Sequence, residues 1–101
     1  MTEQEFTQEF YVAGVKFHEL HKVIKEVKEG ELLVLIPEPD NKYDPNAIRI
    51  VRNGLMLGYV PAKLAASVQA SMEVGTVTCI VTEIEPSAKP WQQLKVGLKE
   101  E

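Results

Sequence analysis

Apolar and polar positions along this chain change period several times, and each change marks an element. Residues 8–17 carry Phe10, Val12, Val15 and Phe17 among polar neighbours and are expected to form a first strand, with Gly14 marking a bulge or a close backbone approach. The period then lengthens. Leu20, Val23, Ile24 and Val27 fall on one face of a helix over 18–29, with lysines and glutamates on the other faces and Gly30 as its stop. The short apolar run 31–36 (ELLVLI) is too short for a buried helix and is expected to be a strand. Pro37 and Pro39 end it. The loop PEPDNKYDP follows, in which Asp40 and Asn41 can bond their own backbone and Pro45 holds Asp44 out of the helical region.

Ala47 to Val51 alternates as a strand, Asn53-Gly54 is a strong two-residue hairpin signal, and 55–60 is the antiparallel return. Pro61 then opens a helix, AKLAASVQASMEV, with Leu64, Val68 and Met72 as its buried stripe and Gly75 as its stop. The run 76–84 alternates cleanly, a connecting loop covers 85–90, and 91–98 is expected to be the last strand, with Trp91 packed in the core or on the barrel rim, the alternative being an aromatic platform on which a base stacks. Six short strands and two short helices exclude a doubly wound sheet and point to a mainly β fold: a small barrel or strongly curved sheet. Residues 1–7 are expected to be a flexible N-terminal segment and 8–101 a single domain.

Composition narrows the function classes. A hydrophobic content of 45% over 101 residues is enough for a real core. The net charge of −4 argues against a protein that coats nucleic acid, but leaves room for a small local site. The single cysteine, Cys79, excludes an intrachain disulfide and reads as a buried strand residue. The acidic, polar N-terminus does not resemble a signal peptide, and the longest apolar run falls far short of a membrane span. The expectation is a soluble cytoplasmic protein with no membrane partner.

No phosphate-cradling glycine motif, nucleophile elbow or Cys/His pair is present, so no enzymatic activity and no cofactor are expected. His18 and His21 could share a metal but lack a third ligand nearby, and Glu38, Asp40 and Asp44 form only a weak pattern for a metal-dependent nuclease. The more distinctive pair is Tyr43-Asp44. An aromatic face beside a carboxylate suits a nucleotide end, the ring stacking on a base and the carboxylate accepting a hydrogen bond from a sugar hydroxyl. Lys16, Lys42, Arg49 and Lys63 could hold phosphates if folding gathers them. On residue chemistry alone the alternative stays open that Asp44 caps the turn and Tyr43 packs on the barrel.

The runs VAGVKF, GELLVLIPEPDNKYDPNAIRIV and GLMLGYVPAKLA together resemble the HIRAN domain family, most specifically in Y-D-x-N-A-I after E-P-x-N and in the later G-Y-V-P. The resemblance spans roughly residues 10–72 and points to a standalone bacterial or phage-type member. It implies an OB-like β-barrel of about six strands, binding of single-stranded DNA at its 3′-hydroxyl end, and work in DNA repair, replication or restriction-type processing beside a helicase, nuclease or other DNA-processing protein. By position it assigns Tyr43 to the terminal base and Asp44 to the 3′-hydroxyl. Lys16 and Phe17 match a basic–aromatic pair on the first strand, where DNA-binding members carry arginine and tyrosine, so a bidentate phosphate contact and a hydroxyl are lost. Tyr59 stands where the fork-remodelling type has histidine, and Lys63 on the next helix is a candidate replacement cation, while Lys42 beside Tyr43 is a candidate phosphate contact. A protein-interaction module that keeps the fold without binding DNA is the second reading.

Overall fold

The computed structural model describes residues 6–101. Its strands are β1 (Gln8–Tyr11), β2 (Leu32–Pro37), β3 (Ile48–Arg52), β4 (Leu55–Tyr59), β5 (Val77–Ile84) and β6 (Leu94–Glu100), and its helices α1 (Leu20–Val23) and α2 (Ala62–Val74). The six strands form one sheet in the order β1-β6-β5-β2-β3-β4 with every pairing antiparallel. Register slips between Ile50 and Val51 and between Val81 and Glu83 bend the sheet, as bulges do. The bent sheet curls until its two edges meet: Ala13, just beyond β1, exchanges both backbone hydrogen bonds with Tyr59 at the end of β4, at 2.9 and 2.8 Å. The expected mainly β, OB-like architecture is the one observed, as a curled half-barrel.

Inward-facing residues of all six strands fill the interior, with Phe10, Leu33, Ile48, Ile50, Leu57, Val81, Val96 and Leu98 buried, and Val68 of α2 joins them. The closing seam depends on a glycine. A Cβ on Gly58 would lie 2.5 Å from the Ala13 carbonyl oxygen and 2.6 Å from a Val12 methyl, so any side chain there would push the edges apart.

Several elements differ from expectation. The first strand stops at Tyr11 because Gly14 adopts a left-handed φ of 72°, turning the chain into a 3-10 turn, Val15–Phe17. The helix over 18–29 shrinks to the single turn α1. Leu20, Val23 and Val27 are buried as the periodicity required, but Glu26 N–H bonds Val23 at 2.7 Å in an i to i−3 pattern, tightening the backbone out of α-geometry. The β-branched Val23, Ile24 and Val27 give that stretch little intrinsic support. The last strand begins at Leu94, because Pro90 opens a 3-10 turn, Pro90–Gln92, that carries Trp91. The Asn53-Gly54 hairpin turn, with φ of 48° and 82°, and α2 both match expectation. The N-terminal segment 1–7 lies mostly outside the described residues; of its last two, Thr7 N–H bonds the Leu98 carbonyl and Phe6 packs over Gly97.

Candidate nucleic-acid interface

The loop between β2 and β3 is organised by one amide. Asn41 Oδ1 accepts hydrogen bonds from the backbone N–H of Tyr43 at 2.8 Å and of Asp44 at 3.0 Å, so the two residues leave the turn side by side. The other end of that amide is anchored: Asn41 Nδ2 donates to Glu38 Oε1 at 2.7 Å. The Tyr59 hydroxyl donates to the same oxygen at 2.7 Å, and Arg49 Nε lies 3.6 Å from the second oxygen. Glu38 thus ties the loop to the seam strand. The Asn41 amide, then the Tyr59 hydroxyl, with Arg49 adding charge, hold the Glu38 carboxyl below its ordinary value. The hydrogen bond to Glu38, helped by burial, raises the Tyr59 hydroxyl above its own, which keeps it a donor.

Above this network opens a cleft of about 450 Å³. Asn41, Tyr43 and Asp44 line it from the loop, Ala13 and Gly14 from the segment after β1, and Ala47, Tyr59, Val60 and Ala62 from the flanks of β3, β4 and α2. Its small residues leave the room and its aromatics bound it. Tyr43 is 87% exposed, with the Lys42 ammonium 5.8 Å from its ring centroid. It does not pack on the barrel. Asp44 does cap the turn, with Oδ1 accepting from Asn46 N–H at 2.9 Å, and it lines the cleft as well.

A second cleft of about 150 Å³ adjoins the first through Gly14, which lines both. Lys16, Phe17, Pro90 and Trp91 bound it. Phe17 is 77% exposed and Trp91 60% exposed, and a lysine ammonium lies over each ring, Lys16 at 5.7 Å and Lys89 at 5.6 Å. Trp91 therefore stands at the surface, not in the core.

Of the sequence-derived candidates, Tyr43, Asp44 and Tyr59 meet in the larger cleft, and Lys16 and Phe17 in the smaller. Lys42 stays beside Tyr43. Lys63 is exposed on α2 outside both linings, where its neighbour Ala62 faces the larger cleft instead. His18 and His21 do not converge as metal ligands would: the His18 ring meets Tyr59 edge-on, with centroids 5.6 Å apart, while His21 Nδ1 donates to the His18 carbonyl. Glu38, weighed from sequence as a metal ligand, is occupied by Asn41, Tyr59 and Arg49, and among the described residues no three His, Cys, Asp or Glu side chains gather in metal-binding geometry. Sequence reasoning missed the anchoring role of Glu38 and the small lining residues Ala13, Ala47 and Ala62. A signal for Trp91 existed in Lys89, two residues earlier, which repeats the lysine–aromatic association of 16–17 and 42–43.

Comparison with known proteins agrees with this architecture. The fold is similar to the HIRAN domain of human HLTF, with a TM-score of 0.72 at 20% identity over 90% of this chain and 71% of that one. It is also similar to a protein from Lactobacillus plantarum, with a TM-score of 0.74 at 21% identity over 92% of this chain and 90% of that one. In sequence the chain is 32% identical over 72 residues to a Fanconi-associated nuclease 1 homolog from Oryza sativa subsp. japonica, covering 67% of this chain and 7% of that much longer protein. The HIRAN domain family model matches residues 5–99, nearly the whole chain. Because that match spans nearly the whole chain, the chain belongs to the HIRAN domain family, a family of DNA-binding domains.

Proposed function

We propose that this domain is a non-catalytic module that captures the 3′-hydroxyl end of single-stranded DNA in the seam cleft. The observation that carries the reading is the Asn41-held pair: an aromatic ring open to solvent and, next to it, a carboxylate facing a cleft lined mostly by small and aromatic residues. Tyr43 stacks on the terminal base. Asp44 accepts the hydrogen bond of the 3′-hydroxyl and repels a phosphate in the same place. The adjoining cleft supplies Phe17 and Trp91 for the preceding base, with Lys16 and Lys89 for its phosphates. Base–aromatic stacking contributes about 1–3 kcal/mol per base, so a few rings and lysines give modest affinity that falls with salt.

The setting we infer is repair, replication or restriction-type processing, where a helicase, nuclease or other DNA-processing partner acts on the end this module holds. Membership of the family and likeness to a segment of a protein named a nuclease homolog support that setting. The test is a titration of labelled oligonucleotides ending in 3′-hydroxyl or 3′-phosphate, with and without magnesium. The hydroxyl end is expected to bind more tightly, and Asp44→Ala to abolish the preference. The competing reading, a protein-interaction module, draws on the net charge of −4 and on lysine and phenylalanine at positions 16 and 17. It requires that neither end binds at moderate salt. A shortened product in magnesium would instead indicate a nuclease.

A further inference from the structure

We infer that single-stranded DNA leaving the two clefts continues onto the outer face of β1 and β6, where Tyr11 and Lys95 form a further nucleotide subsite. The inference rests on the 3′-end reading for the direction in which the strand runs. Among the described residues the exposed aromatics are Tyr11, Phe17, Tyr43 and Trp91, and each carries a lysine ammonium 5.6 to 5.8 Å from its ring centroid. The latter three belong to the interface already described. Tyr11 repeats the same device with a lysine from another strand: Lys95 is its register partner on β6, and its ammonium lies 5.7 Å from the ring centroid.

The pair is also in the right place. Tyr11 and Lys95 are the last register pair of β1 and β6, at the end where β1 runs on toward the 3-10 turn bearing Phe17 and where β6 emerges from the turn bearing Trp91. Phe10, Val12, Leu94 and Val96 are buried, so Tyr11 and Lys95 project from the opposite, outer face. Ala13, which lines the larger cleft, follows two residues beyond Tyr11, at most roughly 7 Å of extended chain away. Glu83 faces Lys95 across β5 and β6, yet among the described residues Lys95 makes no ion pair, and its ammonium lies over the Tyr11 ring instead. An aromatic face and an adjacent cation are the two groups a single-stranded nucleotide uses, one for the base and one for its phosphate.

The test measures affinity against oligothymidylate length, all with 3′-hydroxyl ends, for the wild type, Tyr11→Ala, Tyr11→Phe and Lys95→Ala. The wild type is expected to gain about fivefold or more on going from a dinucleotide to a tetranucleotide. Tyr11→Ala is expected to lose that gain while binding the dinucleotide unchanged, and Tyr11→Phe to keep it. Lys95→Ala should reduce the salt dependence for the tetranucleotide only. The proposal is overturned if wild-type affinity does not grow beyond the dinucleotide, or if Tyr11→Ala weakens both lengths alike or neither. Failure of end capture looks different: 3′-phosphate ends then bind as well as hydroxyl ends and Asp44→Ala has no effect, whether or not the length-dependent loss at Tyr11 persists. Absence of binding at every length overturns both.

Discussion

Replacing Gly58 with alanine tests the closure of the half-barrel with a single methyl. Gly58 is not at positive φ, so the change adds no left-handed backbone strain, and the cost is steric. The new Cβ would sit 2.5 Å from the Ala13 carbonyl oxygen and 2.6 Å from Val12 Cγ1, far inside contact distance. The backbone oxygen can withdraw only by opening the Ala13–Tyr59 bridge. Losing its two hydrogen bonds costs about 2 kcal/mol, and displacing buried Val12 costs about 1–3 kcal/mol more. Against this, alanine restricts the unfolded chain and returns about 0.4–1 kcal/mol. The net expectation is a destabilisation of about 2–5 kcal/mol, a large share of the stability of a domain this size. Urea denaturation followed by far-UV circular dichroism measures it. Gly54→Ala is the control: nothing lies within 4 Å of its Cβ position, and its φ of 82° costs only about 1–2 kcal/mol. A Gly58→Ala protein within about 0.5 kcal/mol of wild type, or more stable than Gly54→Ala, would refute closure at this glycine.

The other expectations concern single groups. Glu38→Gln keeps an acceptor for Asn41 and Tyr59 but removes the charge from both bonds, so it should cost about 1–2 kcal/mol in urea denaturation and weaken oligonucleotide binding through the loosened Tyr43-Asp44 pair. Glu38 and Glu31 both titrate below the ordinary carboxylate value, Glu31 chiefly through its bond to Arg52. Their stabilisation is therefore full above the ordinary carboxylate value and is lost as pH falls through the depressed folded-state values. The urea midpoint should drop on acidification, with a shallower slope in Glu38→Gln. Burial pushes the Cys79 thiol up to about 12. Native protein should therefore resist iodoacetamide at neutral pH and react only once unfolded, as mass spectrometry of the alkylated chain would report.

The parts of the fold legible in the sequence were those set by local chemistry. Asn53-Gly54 specified its turn through backbone preference, and Pro61 and Gly75 bracketed α2. The apolar period of 20–27 identified the buried face of that segment even though its backbone is not helical beyond one turn. Periodicity reports which side chains are buried, not which hydrogen-bonding pattern carries them. What escaped depends on pairing across distance. Ala13 meeting Tyr59 closes the sheet between residues 46 positions apart, and no local signal announces it. The site divides in the same way. Asn41, Tyr43 and Asp44 form a local turn that side-chain chemistry and the family motif both expose. Glu38 bonded to Tyr59, His18 against the Tyr59 ring, and Trp91 beside Phe17 join elements distant in the chain. Lys63 was chosen for its charge, but the helix turns Ala62 into the cleft instead.

The most direct measurement of end capture is a competition between two unlabelled oligonucleotides of identical sequence, one linear with a 3′-hydroxyl and one covalently circular, against a labelled linear strand. Both offer the same bases and nearly the same phosphates, so stacking and charge alone cannot separate them. If Asp44 reads a terminal hydroxyl, the linear strand displaces the label and the circle displaces it at least about tenfold less well, the loss of one charge-assisted hydrogen bond. Equal displacement by the circle would contradict 3′-end recognition and leave, at most, a surface for internal single-stranded DNA.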